Sequence, residues 1–405
     1  MLKNKRKQLT VMGCFWDFHP LFRSLDELYE SKFISFYDPV LRNFIDTNKI
    51  LCFNESQKNI IFWPLKILFR SARTFYEIFR FRPDLVISHH DDANISMLPI
   101  IFLFKFLPFY SPKFILWIRN NPVEMHREGV FSLIARFCYR FFFQLADEVI
   151  VQCQRNLQIV SAAYPGLSRN IRIIPNVYDI HQIRKLAGAE ISENLESIMA
   201  EKFVFINIGR FTSQKGQKYL IRAFKPIAIK YPEAILVILG SGPLESDLKI
   251  LVSELLLQTR VFFFGYQENP FPILSRSHCF VLSSVFEGFP NVLAESLALN
   301  LPVISTNCDT GPEDILTDHG DSIFPDQISY VRYGILVPPF VSEEVKSNHI
   351  FLSEKINIQR TVFLTEAMEK IISTPELRER YQNGHKRIAD FSIDSRGIKD
   401  MLLDL

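Results

Sequence analysis

Short runs of continuously apolar residues recur along this chain, separated by longer stretches with helical spacing. In the amino half the runs are DLVIS (84–88), KFILWI (113–118), DEVIVQ (147–152) and IRIIP (171–175), with residues 94–107 and 130–146 long enough for crossover helices. The carboxyl half keeps the rhythm with FVFINIG (203–209), AILVILG (234–240), RVFFFG (260–265), CFVLSS (279–284), PVIST (302–306) and YGILVP (333–338). Runs that are apolar throughout suit parallel strands covered on both faces. Strand–helix alternation predicts an α/β chain with a Rossmann-like, doubly wound parallel sheet in each half. The join is expected in the polar connector 179–202, giving domains 1–178 and 179–388 and a helix in 389–405 that packs back on the first domain. In the first 80 residues, LTVMGCFWD is read as the opening strand, 21–31 as its helix and KILCFN (49–54) as a further strand.

Composition adds limits to this picture. A chain of 405 residues exceeds what one hydrophobic core usually supports. With 48% hydrophobic and 22% charged residues it is a folded globular protein rather than a disordered one. The net charge is +2, yet residues 1–170 hold 22 Lys/Arg against 15 Asp/Glu, so the amino half is basic and the rest acidic. A basic half rich in the chain's 38 Phe suits an anionic surface or a phosphorylated acceptor, although an uneven solvated surface explains the charge equally well. The six cysteines are scattered without a C-x-x-C pair, which argues against zinc and disulfides and for a reduced, cytoplasmic setting. The basic opening lacks the apolar run of a signal peptide. The most apolar window, 97–110, is broken by Pro99, Lys105 and Pro108 and is shorter than the ~20 residues of a spanning helix. Association with a membrane is therefore expected to be peripheral.

Open parallel sheets bind ligands in the loops at the carboxyl ends of their strands. After the first strand of the carboxyl half, GRFTSQKG places Arg210 and Lys215 just before a helix, where two cations and free backbone N–H groups suit a diphosphate, the plainer alternative being a basic surface loop. GSGP (240–243) carries Gly240 and Gly242, either a plain turn or a close backbone approach to a ligand. The fullest signal is SSVFEGFPNVLAESLALNLPVIST (283–306): Glu287 in a loop, Pro290 suited to the first turn of a helix and Glu295 one to two turns inside it. One carboxylate there can hold the hydroxyls of a ribose and the other those of a sugar. The plainer alternative is that Glu295 only complements the positive helix start.

This segment resembles the Glu-x7-Glu signature of glycosyltransferase family 4. The resemblance extends over about 84–390 and includes GRFTSQKG, GSGPLESDL, CDTGPEDIL (308–316) and YGILVPP (333–339). It implies the GT-B fold, two Rossmann-like domains facing across a cleft, and resembles the enzymes of bacterial lipopolysaccharide and exopolysaccharide synthesis. By position, Arg210 and Lys215 would bind the diphosphate, Glu295 the ribose and Glu287 the donor sugar. Backbone near Gly288, Phe289, Pro290 and Asn291 would line the sugar–phosphate pocket. The resemblance implies a retaining hexosyltransferase with a nucleotide-sugar co-substrate, UDP being commonest in the subgroup. It implies no cofactor and no required metal. The acceptor would be a lipid-linked glycan or oligosaccharide at the cytoplasmic membrane surface, with no nucleic acid involved.

In the amino half, HHDDAN (89–94) and IRNNP (118–122) follow apolar strands, so His89, His90, Arg119 and Asn120 are expected on the acceptor side. His89, His90, Asp91 and Asp92 invite a metal reading, but two adjacent pairs lack tetrahedral ligand spacing. Many relatives carry a His near Arg119, and their Gly-rich first loop is replaced here by MGCFWDFHP (12–20). Two other functions share the architecture: a sugar-nucleotide 2-epimerase, and a non-catalytic homologue whose support is that altered loop. Glu287 as a glycosidase-like nucleophile is weaker than Glu287 as a sugar ligand, given its loop position.

Overall fold

The computed structural model describes residues 6–12, 25, 29–36, 50–52, 63–107, 109–119, 130–167, 170–341 and 350–405. The chain forms two compact units, Met1–Tyr178 with Ile393–Leu405, and Asp179–Ser392.

In the first unit β1 (Lys7–Met12), β2 (Glu30–Ser35), β3 (Ile50–Cys52), β4 (Leu85–His89), β5 (Lys113–Trp117), β6 (Glu148–Val151) and β7 (Ile171–Ile173) form one sheet, ordered β3-β2-β1-β4-β5-β6-β7. Every pairing is parallel. Successive side chains of a strand enter opposite faces, and both faces here are apolar. Leu9, Val11, Val86, Phe114, Leu116 and Val149 join one core; Phe33, Leu85, Ile87, Ile115, Trp117 and Ile150 join the other. Helices α1 (Trp63–Phe81), α2 (Asp91–Phe104), α3 (Val130–Phe141) and α4 (Gln154–Ala163) connect the strands, and α1, α2 and α3 all contribute to the first of these cores.

The terminal helix Arg396–Leu403 closes the second core with Ile398, Leu402 and Leu405. Each such burial is worth about 1.5–3 kcal/mol, and hydrogen bonds from Tyr29 Oη to the Leu402 carbonyl and from Lys113 Nζ to that of Leu405 fix the end. The return to the first unit falls at Ile393, whose N–H donates to the Tyr178 carbonyl at 3.0 Å.

Two features of this unit differ from expectation. Residues 30 and 31, expected at the end of the helix 21–31, open β2 instead, paired with Lys7 and Gln8 of β1. Helix α1 has no counterpart in the sequence reading. Buried positions in β1 and β2 include Gln8, Thr10, Ser31 and Ser35, so these strands do not read as apolar runs. The rest of the expected 21–31 helix, apart from Leu25 and Tyr29, lies outside the described residues, as does the loop 13–20.

The second unit repeats the plan. Strands β8 (Phe203–Ile208), β9 (Ala234–Leu239), β10 (Val261–Phe263), β11 (Cys279–Leu282), β12 (Val303–Thr306), β13 (Ser329–Val331) and β14 (Gly334–Val337) are ordered β10-β9-β8-β11-β12-β14-β13. Only β13 runs antiparallel, as the first arm of a hairpin with β14. Helices α5 (Gln217–Lys230), α6 (Glu245–Glu254), α7 (Asn291–Ala298), α8 (Pro312–Leu316) and the long α9 (Ile350–Ser373) flank the sheet. β8, whose successor in the chain is β9, also pairs with β11 on its other edge. The strand order reverses between β8 and β11, and such a reversal opens a crevice at the carboxyl ends of the two strands.

Candidate active site

The loops that follow β8 and β11 leave the sheet side by side at this reversal, and they are tied to each other. The Val285 N–H donates to the Gln214 carbonyl at 2.7 Å, and Gln214 Nε2 donates to that of Phe286 at 3.0 Å. Ser283 Oγ reaches the Lys215 carbonyl at 2.9 Å. The close approach requires glycine at 216: its φ is +61°, and a Cβ there would stand 2.1 Å from the Ser283 carbonyl oxygen.

Across this seam Lys215 Nζ lies 2.7 Å from Glu287 Oε1. Both side chains are largely shielded, with 19% and 7% of their surface exposed. The same carboxylate oxygen accepts from Ser284 Oγ at 2.6 Å. Thr310 Oγ1 donates to the Glu287 carbonyl, and Thr306 Oγ1 to that of Ser284 at 2.6 Å. Glu287 is thus held at side chain and backbone. Beside it the Cys308 thiol is pushed well up by burial and by the Glu287 charge, so it stays neutral.

The other expected residues are distributed around this pair. Arg210 follows β8 and is exposed; its carbonyl accepts from Gln217 Nε2 at 3.1 Å. Among the described residues its guanidinium makes no ion pair with the Lys215–Glu287 couple. Glu295 is the fifth residue of α7 and half-buried. Gly288, Phe289 and Pro290 are buried ahead of that helix, and Asn291 is its first residue. Pro290 occupies the N-cap, one residue earlier than the first turn expected for it. Phe289 packs edge-on against Phe391, ring centres 5.7 Å apart. Gly240 and Gly242 serve the Arg210 loop: a Cβ at Gly240 would meet the Gly209 carbonyl oxygen at 2.0 Å, and one at Gly242 the Phe211 backbone at 2.6 Å. Sequence reasoning passed over Ser283, Ser284, Gln214, Thr306 and Thr310. Their signal, hydroxyls and amides at strand ends, is common to many loops.

In the first unit His89 ends β4 and is fully buried, with Arg119 against it after β5. Arg119 Nε and Nη2 lie 3.3 and 3.1 Å from His89 Nδ1, and Nη1 donates to Asn176 Oδ1 at 2.6 Å. The guanidinium stacks over Trp117 at 4.1 Å. His89 therefore backs Arg119 rather than lining a surface. Asp91 accepts from Tyr139 Oη, and Asp92 lies 3.5 Å from Arg70. Both acids are engaged by neighbouring helices, and among the described residues no group of His, Cys, Asp or Glu is arranged to hold a metal. Asn120 lies outside the described residues.

Burial, and then the Arg119 charge, lower the His90 pKa from 6.5 to about 4; the same causes lower that of His89. A depressed histidine favours the neutral folded state, so the unfolded chain takes up the proton first. Its contribution to stability is full above about 6.5 and lost as pH falls towards about 4. His90 has φ of +70°, which Asn tolerates well. His90→Asn is expected to flatten the fall in Tm between pH 6.5 and 4 relative to the parent; an unchanged slope would show that His90 already titrates normally in the fold.

Comparison with known proteins bears on the family and the fold. The family described as Glycosyl transferases group 1 matches residues 190–333. An uncharacterized glycosyltransferase of Methanocaldococcus jannaschii is 47% identical over 397 residues, 97% of each chain. A Campylobacter jejuni N-acetylgalactosaminyltransferase, named for an N-acetylgalactosamine-N,N'-diacetylbacillosaminyl-diphospho-undecaprenol acceptor, is 30% identical over 49% of this chain and 52% of its own. Among solved structures, Anabaena HepE in complex with UDP and glucose superposes with a TM-score of 0.71, at 16% identity over 98% of both chains. The sucrose-phosphate synthase of Thermosynechococcus elongatus gives 0.69 at 16% identity, over 98% of this chain and 97% of its own. The fold these structures share with the present chain is GT-B.

Proposed function

Since the chain belongs to the glycosyltransferases and carries a group 1 region, we propose that it moves a hexose or N-acetylhexosamine from a UDP-sugar to a lipid-linked or oligosaccharide acceptor, with retention at the anomeric carbon. The observation that carries this reading is the Lys215–Glu287 couple at the strand-order reversal of the second unit. An ammonium has three donors. One is taken by Glu287, which leaves two directed by that bond for the oxygens of a diphosphate. Arg210, exposed on the same loop, supplies a second cation, and the start of α7 supplies backbone N–H groups.

In the reaction the bond between the anomeric carbon and the β-phosphate oxygen breaks, and its electron pair stays with the diphosphate. The acceptor oxygen forms its bond on the same face, and its proton passes to the departing phosphate oxygen. Charge therefore builds on the diphosphate, where Lys215 and Arg210 stabilise it without a metal in this reading; fixed cations act most strongly in a shielded site. Glu287 holds hydroxyls of the donor sugar as well as Lys215, and Glu295 those of the ribose. The acceptor class rests on the name of the Campylobacter relative and on the basic, Phe-rich amino half.

Thermal unfolding with UDP, GDP and ADP tests the donor assignment. A ligand of the folded state stabilises by RT ln(1 + [L]/Kd), about 2.7 kcal/mol at a hundredfold excess. UDP is expected to raise Tm and GDP and ADP to raise it less, with the UDP effect lost in Glu295→Ala. A larger response to GDP would reject UDP as the carrier, and a full response in Glu295→Ala would remove that residue from the ribose.

A further inference from the structure

Helix α1 is built with its apolar side outward. Its buried positions include Arg70, Ser71 and Thr74 as well as Ile78 and Phe81, and polar bonds hold them: Arg70 to Asp92, and Ser71 Oγ to the Ser96 carbonyl at 2.7 Å. Leu65, Leu68, Phe69, Tyr76 and Phe79 recur at helical spacing on the opposite side, each more than half exposed. A helix in a soluble layer normally presents the reverse pattern.

The two helices in the same layer continue this surface. α1 packs on α2 and α2 on α3, and all three put their inner sides into one core, so their outer sides make up the far surface of the layer. Just beyond α2, Phe106 is 71% and Phe109 96% exposed; on α3, Leu133, Phe137 and Phe141 stand out from the protein. Several rings rest on each other, Phe102 on Phe106 at 5.0 Å and Phe137 on Phe141 at 4.8 Å. In the second unit, by contrast, exposed residues such as Ile229 and Tyr266 lie on different elements, which is ordinary for a soluble surface.

Charge identifies what this surface meets. Arg73, Arg80 and Arg82 belong to or follow α1, Lys105 follows α2, and Arg136 and Arg140 lie on α3. Across 63–82, 102–110 and 130–141 the sole acid is Glu77. Aromatic and aliphatic side chains framed by cations match the boundary between acyl chains and anionic headgroups. No described helix is long and apolar enough to cross a membrane. We propose that the outer face of α1, α2 and α3 docks on an anionic lipid bilayer, inserting Leu68, Phe69, Phe79, Phe106, Phe109 and Phe137. This inference does not depend on the donor-site reading, because lipid binding is measured without sugar transfer.

Co-sedimentation of the full chain with phosphatidylcholine vesicles, with and without phosphatidylglycerol, tests it. The parent is expected to bind the anionic vesicles at least about tenfold more tightly than the neutral ones, and to be released at about 0.5 M salt. Leu68→Glu/Phe79→Glu/Phe137→Glu is expected to weaken binding at least tenfold, while Ile229→Glu binds as the parent does. Arg80→Gln/Lys105→Gln/Arg140→Gln leaves the apolar side chains in place and must also weaken binding; it stands in for the first variant if that one fails to fold. Parent-like binding by a folded triple variant, or no preference of the parent for anionic vesicles, would overturn the proposal. So would a concentration-dependent dimer that binds no vesicles and is dissolved by the glutamate variant, because the face would then belong to a second copy.

Discussion

Lys215→Met is expected to lower the rate of sugar transfer by about 10²–10³-fold, the usual cost of deleting one fixed group that stabilises transition-state charge. Methionine keeps the length and apolar stem of lysine and removes the charge, so packing changes little. The ion pair makes the expectation more specific. In the parent, Lys215 Nζ and Ser284 Oγ both bond Glu287 Oε1; in the variant a largely buried carboxylate retains the serine alone. Unfolding in urea should show a loss of about 1–3 kcal/mol, the range for a buried polar group left short of a partner, the serine bond to the carboxylate being kept. Glu287→Gln should cost activity too, and the double variant separates two possibilities. If the carboxylate works by orienting the ammonium, Lys215→Met/Glu287→Gln is scarcely slower than Lys215→Met, since residues that act as a unit are non-additive. If Glu287 contributes through its own contact with the sugar, the two losses multiply. A rate within a factor of three of the parent for Lys215→Met would remove this lysine from the diphosphate.

Much of the second unit was legible because its strands are buried on both faces: Ala234–Leu239 is an unbroken apolar run and all of it is inside. The first unit was harder because burial and polarity part company there. Gln8 and Thr10 lie in the inner strand β1 and bond each other within the sheet, while α1 hides Arg70 and Ser71 and exposes phenylalanines. A reading that equates apolar with inside misplaces such elements. The site shows a different limit. Lys215 and Glu287 were recognisable as loop residues after strands, but they are 72 positions apart. Their meeting depends on β11 pairing with β8, after the chain has first built β9 and β10 on the other edge. Loop chemistry is local and visible in a string of residues, whereas strand order is set by which sheet edge remains open to the next crossover.

That long-range seam is what Gly216→Ala is expected to break. Gly216 is left-handed with φ of +61°, and an added Cβ would lie 2.1 Å from the Ser283 carbonyl oxygen, which is backbone and cannot swing aside. Left-handed geometry alone costs a non-glycine residue about 1–2 kcal/mol; displacing the Ser283 carbonyl should bring the total to about 2–4 kcal/mol. Gly265 supplies the comparison, with φ of +67° and nothing within 4 Å of a built Cβ. Gly265→Ala should show the backbone cost alone, near 1–2 kcal/mol by urea unfolding. Function separates the pair more sharply. Pushing the two loops apart moves Lys215 away from Glu287, so Gly216→Ala should lose most of its stabilisation by UDP and Gly265→Ala should keep it. Equal stability losses would mean that the loops part easily. An intact UDP response in Gly216→Ala would mean that nucleotide binding does not need the seam, and the weight of the site would shift from the Lys215 loop to α7 and Glu295.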